Sequence, residues 1–257
     1  MEILENNLTI LQCFYLTDNL GVKGSKIQHM LSEDGIKKTA KIIGDCKWIV
    51  NYKCSHNLEK IEKCYKDNVK NLSFYNILES NDFHWAKTCL KLLEEVKTEY
   101  VFYLTEDRLF KNTKKEDFFM TFKEIFESNV SYCPLGKLYK YIPKTKEKIG
   151  DIVEEKEHIM TYAAKDEFLI RGDCCISIDS IFKTEILKEC LNYVINEKTI
   201  HSGYTWNLPH TLEMSSPNDP DDVFGNWFSK RKPEMIHAIP KINLIQSDTD
   251  PGGKRLL

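Results

Sequence analysis

Residues 100–110 read YVFYLTEDRLF, five aromatic or aliphatic side chains in succession and then Thr105, Glu106, Asp107 and Arg108. An apolar run without polar alternation predicts a strand covered on both faces, as in the interior of a parallel sheet. The run ends on an acidic pair, so the strand delivers charge at its carboxyl end. In open parallel α/β sheets ligands bind just beyond those ends, which makes Glu106 and Asp107 candidate site residues. The same stretch also reads as a solvated loop after a core strand, and the local sequence leaves both readings open.

Working back from this strand, residues 83–96 carry apolar side chains at Phe83, Ala86, Leu90, Leu93 and Val96, spacings of three and four that predict one buried helical stripe. Asn81 or Asp82 precedes it as an N-cap. Farther upstream, residues 8–15, 47–52 and 71–77 read as strands, with helices expected around 25–32 and over 59–65. Strand and helix alternate through the first 110 residues, which argues for a parallel sheet with helical crossovers. Downstream, residues 115–127 predict an amphipathic helix with Phe118, Phe119, Phe122, Ile125 and Phe126 on one side, a stripe read as core packing.

After Asn129 the rhythm changes. Residues 137–166, rich in lysine and glutamate, read as a hairpin or as a loop that orders on binding. Residues 168–178 read as a strand region and 180–195 as a helix with Phe182, Ile186, Cys190 and Val194 on its buried face. From His201 the chain is punctuated by prolines and reads as loop-rich. The expected fold class is α/β, a mainly parallel central sheet flanked by helices, in a single domain spanning 1–257. Residues 1–128 form its regular half and residues 129–257 an irregular half.

Composition narrows the function classes. The 257 residues suffice for a large core. With 36 basic against 39 acidic side chains, no overall field selects nucleic acid or an anionic membrane. The nine cysteines are odd in number and scattered through apolar runs, which fits reduced core thiols rather than a disulfide framework. The N-terminus opens on acids and lacks the layout of a secretory signal, and no apolar stretch reaches membrane-spanning length. The expectation is a cytoplasmic protein, working in solution or at the inner face of the membrane. There is no glycine-rich phosphate loop and no G-x-S-x-G elbow, which weighs against kinase, NTPase and serine-hydrolase chemistry.

The succession LTILQCFY, KWIVNYKCS and SNDFHWAKTCLKLLEEVKTEYVFYLTEDRLF, followed by FLIRGDCCISIDSIFKTEIL, resembles the GT-A fold glycosyltransferases, in particular the family-two-like bacterial enzymes that use nucleotide sugars. The resemblance covers residues 8–195 in order of elements, through motifs that are short and degenerate. It implies a donor nucleotide-binding half, residues 1–128, and an acceptor-side half, residues 129–257. The implied activity is transfer of a sugar from a nucleotide-diphosphate donor to a glycan or lipid-linked acceptor in surface polysaccharide synthesis, with inversion. The family's acidic motif reads Asp-x-Asp or Glu-Asp-Asp, and here Thr105-Glu106-Asp107-Arg108 departs from both while keeping Asp107. The resemblance makes Glu106 and Asp107 ligands of Mn2+ or Mg2+. Two carboxylates are hard oxygen donors suited to such ions. Arg108 either pairs with these acids or contacts phosphate oxygens bidentately.

The resemblance also points to Tyr15, Thr17 and Asp18, after the first strand, as nucleotide contacts. It places Asn51 where related enzymes carry an acid that reads uracil or ribose, and Asp82 ahead of the helix that approaches the donor. An inverting transfer needs a general base for the acceptor hydroxyl. Glu213 and Asp222 are the candidates, in a proline-punctuated acidic loop with Asp219 and Asp221. Trp206 and Trp227 nearby suit the CH-rich faces of a sugar. His237 reads as a core histidine or a late metal ligand, and Lys254 and Arg255 as charge that closes over a diphosphate or ends the chain. Two rival readings stand beside the transferase: a non-catalytic GT-A domain that binds a glycan or protein partner, and a sugar nucleotidyltransferase.

Overall fold

The computed structural model describes residues 2–15, 30–53, 58–76, 85–105, 108–110, 113–135, 152–163, 179–196 and 235–247. The amino-terminal part is a short helix α1 (Glu2–Asn7) and strand β1 (Leu8–Tyr15), then a π-helical turn (Glu33–Lys37) running into α2 (Lys38–Ile43). Strand β2 (Lys47–Lys53), helix α3 (Leu58–Asn68), strand β3 (Leu72–Tyr75), helix α4 (Trp85–Leu93) and strand β4 (Tyr100–Tyr103) follow in alternation. After β4 come the two-residue strand β5 (Arg108–Leu109), helix α5 (Lys115–Glu127), β6 (Tyr132–Pro134), β7 (Ile152–Glu155) and β8 (Ile159–Ala163). The last elements are β9 (Ser180–Lys183), α6 (Thr184–Asn196), β10 (Ile236–Pro240) and β11 (Gln246–Ser247).

Among the described residues, nine strands form one sheet in the order β3-β2-β1-β4-β9-β6-β10-β8-β7, and β5 pairs with β11 in a separate ribbon. Strands β3, β2, β1 and β4 run parallel, as the alternation predicts, with Leu8 opposite Tyr100 and Cys13 opposite Asn51. Beyond β4 the sheet is mixed: β9 lies antiparallel between β4 and β6, β10 runs parallel to β6, and β8 and β7 complete an antiparallel edge.

Successive residues of the parallel strands feed two separate cores. Ile10, Trp48, Val50, Tyr100 and Phe102 pack on one face of the sheet with Phe118, Phe122 and Ile125 of α5. Leu11, Ile49, Val101 and Tyr103 pack on the other with Trp85 and Cys89 of α4 and with Leu187 and Leu191 of α6. Burial on both faces explains why these strands carry no polar alternation. The phenylalanine stripe of α5 is core: the ring of Phe118 stands 6.0 Å from that of Phe102, and Phe122 meets Tyr100 edge-on at 5.8 Å. Each such fully buried ring contributes about 1.5–3 kcal/mol through its area alone.

Several expectations shift. Residues 180–183, expected as the first turn of a helix, are strand β9, and the helix begins at Thr184. Phe182 therefore packs as a sheet residue, and the buried face of α6 is Leu187, Cys190 and Leu191. On α4 the buried side chains are Trp85, Ala86, Cys89, Leu92 and Leu93, while Leu90 is half-buried, so the stripe is rotated from the expected one. The lysine-rich stretch contains the hairpin β7–β8, and the loop-rich, proline-punctuated end contributes strand β10 to the sheet. The helix expected around 25–32 and the strand region 168–178 lie wholly or almost wholly outside the described residues, as does the N-cap at Asn81 or Asp82.

Two local features hold the frame. Gly44 ends α2 at φ +83°, a left-handed conformation that side chains rarely adopt, with its N–H donated to Ala40 O at 2.8 Å. Glu124, buried on α5, accepts the backbone N–H groups of His158 and Ile159 at 2.9 and 3.1 Å and meets His158 Nδ1 at 3.0 Å. One carboxylate thereby ties the start of β8 to the helix.

Candidate functional site

The strand order reverses between β1 and β4: β2 and β3 lie on one side of β1, and β4 lies on the other. In open α/β sheets the crevice outside the carboxyl ends at such a reversal is where ligands bind. The residues at that rim are Cys13 to Tyr15 on β1 and Leu104 and Thr105 after β4. Pairing continues to the rim, where Leu104 donates its N–H to Leu11 O at 3.0 Å.

The floor beneath the rim is a buried chain of hydrogen bonds. Trp85 Nε1 donates to the Tyr103 hydroxyl at 2.7 Å, and that hydroxyl donates to Cys13 O at 2.7 Å, with the two rings edge-on at 5.8 Å. Asn51, fully buried at the end of β2, directs Nδ2 toward Cys13 Sγ at 3.7 Å. Burial pushes the Tyr103 hydroxyl and the Cys89 thiol well above their ordinary values. Both stay protonated through neutral pH, so this floor shapes and supports the rim while carrying no charge.

Charge enters from the opposite side of β4. Asp179, immediately before β9, is buried at 2% exposure, and its Oδ1 accepts both the N–H of Thr105 at 2.9 Å and the Thr105 hydroxyl at 2.7 Å. Its own carbonyl accepts the N–H of Leu135 at 3.1 Å, which ties the same residue to the end of β6. Reading the sequence did not single out Asp179: a lone aspartate ahead of a short apolar run carries no local signal, and its partner lies 74 residues away.

Of the residues singled out in the sequence, Asn51 belongs to the floor, and the backbones of Tyr15 and Arg108 are placed at the end of β1 and in β5. Thr17, Asp18, Asp82, Glu106, Asp107, Trp206, Glu213, Asp222 and Trp227 lie outside the described residues, as do Asp219, Asp221, Lys254 and Arg255. His237 is core: it is 4% exposed on β10 and sits 5.7 Å from the Tyr132 ring, and burial lowers it from 6.5 to about 4. Among the described residues no three His, Cys, Asp or Glu side chains cluster as a metal site, and no helix is long and apolar enough to cross a membrane. The cysteines described, Cys13, Cys46, Cys64, Cys89, Cys133 and Cys190, are free thiols.

No protein-family model and no curated protein matches the chain. Similar solved structures include GT-A glycosyltransferases. One is S. aureus TarS 1-349 in complex with UDP-GlcNAc, at 15% identity over 72% of this chain and 47% of that one, with a TM-score of 0.43. Another is the mannosyltransferase PcManGT from Pyrobaculum calidifontis in complex with GDP-Man and Mn2+, at 11% identity, 72% and 46% coverage, and a TM-score of 0.38. A third is 4-diphosphocytidyl-2C-methyl-D-erythritol synthase from Anaerococcus prevotii, at 9% identity, 96% and 93% coverage, and a TM-score of 0.47. The chain spans about half the length of the two glycosyltransferase structures.

Proposed function

We propose that the chain is a glycosyltransferase that takes a sugar from a nucleotide-diphosphate donor bound at the β1/β4 rim and transfers it, with inversion, to a glycan or lipid-linked acceptor in surface polysaccharide synthesis. The observation that carries this reading is the attachment of an acidic pair to the rim: Glu106 and Asp107 follow directly on Thr105, the residue held by Asp179 at the strand-order reversal. Carboxylates at that position suit a hard divalent cation, and Mn2+ or Mg2+ fits their chemistry. When bound, such an ion would neutralise the charge that develops on a departing diphosphate.

The chain's own residues supply the remaining roles in this reading. Arg108, whose backbone is fixed in β5 by pairing with Ser247, would offer its guanidinium to phosphate oxygens in bidentate fashion. Tyr15 at the end of β1, with Thr17, Asp18, Asn51 and Asp82, would make the nucleoside side of the pocket. Glu213 or Asp222 would take the proton from the acceptor hydroxyl as it attacks the anomeric carbon. Trp206 and Trp227 would receive the sugar faces. Charge already oriented toward the leaving diphosphate would then supply much of the rate enhancement.

The test is thermal stability of the full chain against uridine, guanosine, cytidine and thymidine diphosphates and their sugars, with and without manganese. A donor at about a hundred times its dissociation constant adds roughly 2.7 kcal/mol. One nucleotide should stabilise the protein selectively. Asp107→Ala should lose that stabilisation and the turnover while melting normally without ligand. A protein that no nucleotide stabilises would overturn the proposal.

A further inference from the structure

We propose that Asp179 is a positioning residue for the donor site, setting the exit of β4 and with it the acid pair that follows. The inference rests on the donor-site reading above and assigns part of its work to a residue from the opposite half of the chain. A buried carboxylate is costly unless its oxygens are used, and Asp179 Oδ1 takes two donors from one residue, the amide and the hydroxyl of Thr105. Two bonds to a single oxygen fix both the backbone direction and the side-chain rotamer of Thr105. The anchor is itself held: Asp179 O accepts from Leu135, and Ser180 begins β9, which pairs with Tyr103 of β4 on one side and Pro134 of β6 on the other.

The chain is fixed again a few residues later. Arg108 and Leu109 pair with Ser247 and Gln246, and Phe110 is buried between the rings of Phe102 and Phe118. Only Glu106 and Asp107 separate these two fixed points in the sequence. Loosening Thr105 therefore moves the start of the segment that carries both acids. Groups that hydrogen-bond a ligating side chain directly typically change affinity by about 10–100-fold when removed, and Asp179 acts one residue farther out, through Thr105, which sets the expected loss at the low end, about tenfold.

Four variants separate positioning from charge and from plain structure. Asp179→Ala removes the acceptor, and Asp179→Asn keeps an acceptor oxygen while discarding the charge. Thr105→Val removes the hydroxyl donor alone, and Thr105→Ser restores it. The probes are manganese alone and, with manganese, the nucleoside diphosphate that most stabilises the wild-type chain, followed by titration calorimetry on protein whose ligand-free melting confirms folding. Asp179→Ala and Thr105→Val should bind that nucleotide about tenfold more weakly, with Asp179→Asn and Thr105→Ser within about threefold of wild type. A purely structural role would lower the melting temperature and leave the dissociation constant unchanged, and that result overturns the inference. So does an Asp179→Asn variant as impaired as Asp179→Ala, which would mean that charge does the work. If Asp179→Ala does not fold, Thr105→Val against Thr105→Ser decides alone. Wild-type protein that binds no nucleotide would sink the donor-site reading and this inference together, whereas normal binding in folded variants sinks this inference only.

Discussion

His237 should make the fold acid-sensitive in a way that a single substitution removes. Its imidazole is buried on β10 against Tyr132, and burial holds it at about 4 against 6.5 in an unfolded chain. Between those values the unfolded chain holds a proton that the folded chain excludes, so stability rises with pH across this window and falls as pH drops from 6.5 toward 4. At pH 4.5 the unfolded imidazole is almost fully protonated and the folded one mostly neutral, a difference of about 2.5 kcal/mol at 1.36 kcal/mol per pH unit. His237→Leu discards this contribution at a cost in packing that does not vary with pH. Urea denaturation of both proteins at pH 7.5 and pH 4.5 cancels the carboxylate titrations that they share. Wild type should lose about 2.5 kcal/mol more than His237→Leu over that interval. Equal losses would refute the reasoning and mean that the imidazole is already solvated in the folded chain.

Three further outcomes are expected. Glu124→Ala removes the oxygen that accepts the His158 and Ile159 amides, so it should cost about 1–3 kcal/mol in denaturant and speed hydrogen exchange at the Ile159 amide. An unchanged exchange rate would show that the hairpin is held elsewhere. Gly44→Ala places a side chain at φ +83° and should destabilise by about 1 kcal/mol, through backbone strain, since the nearest atom to an added Cβ is the flexible end of Lys115 at 3.6 Å. Trp85→Phe removes the donor to the Tyr103 hydroxyl at the floor of the rim and should cost about 1–3 kcal/mol, and a melt equal to wild type would argue against a buried chain of bonds there.

How much was legible in the sequence depends on whether a segment's environment is written in its own residues. Tyr100 to Leu104 is apolar on both faces because helices cover both sides of the sheet, and that double burial appears directly as an unbroken run. Helix α5 is long enough for its period to show. Ser180 to Lys183 is not: four residues ahead of a helix extend its apolar spacing, and only pairing with β4 and β6 makes them a strand. Ile236 to Pro240 sits among prolines in a stretch that reads as loop-rich, and β6 and β8 supply its hydrogen bonds. Pro240 lies opposite Ile159 at the end of that strand, and the next N–H, on Lys241, is donated to His158 O at 2.8 Å.

Legible in the residues alone were the alternation of strand and helix, the apolar run Tyr100–Leu104 ahead of the acidic pair, and the aromatic face of α5, because each is a pattern of neighbouring residues reporting its own burial. It took the folded chain to show that the strand order reverses between β1 and β4, that Trp85 and Tyr103 floor the rim, and that Asp179 closes on Thr105 across 74 residues of chain. Those are meetings between distant segments, and a hydrogen bond formed after the chain has folded back leaves no period or spacing in the residues that make it.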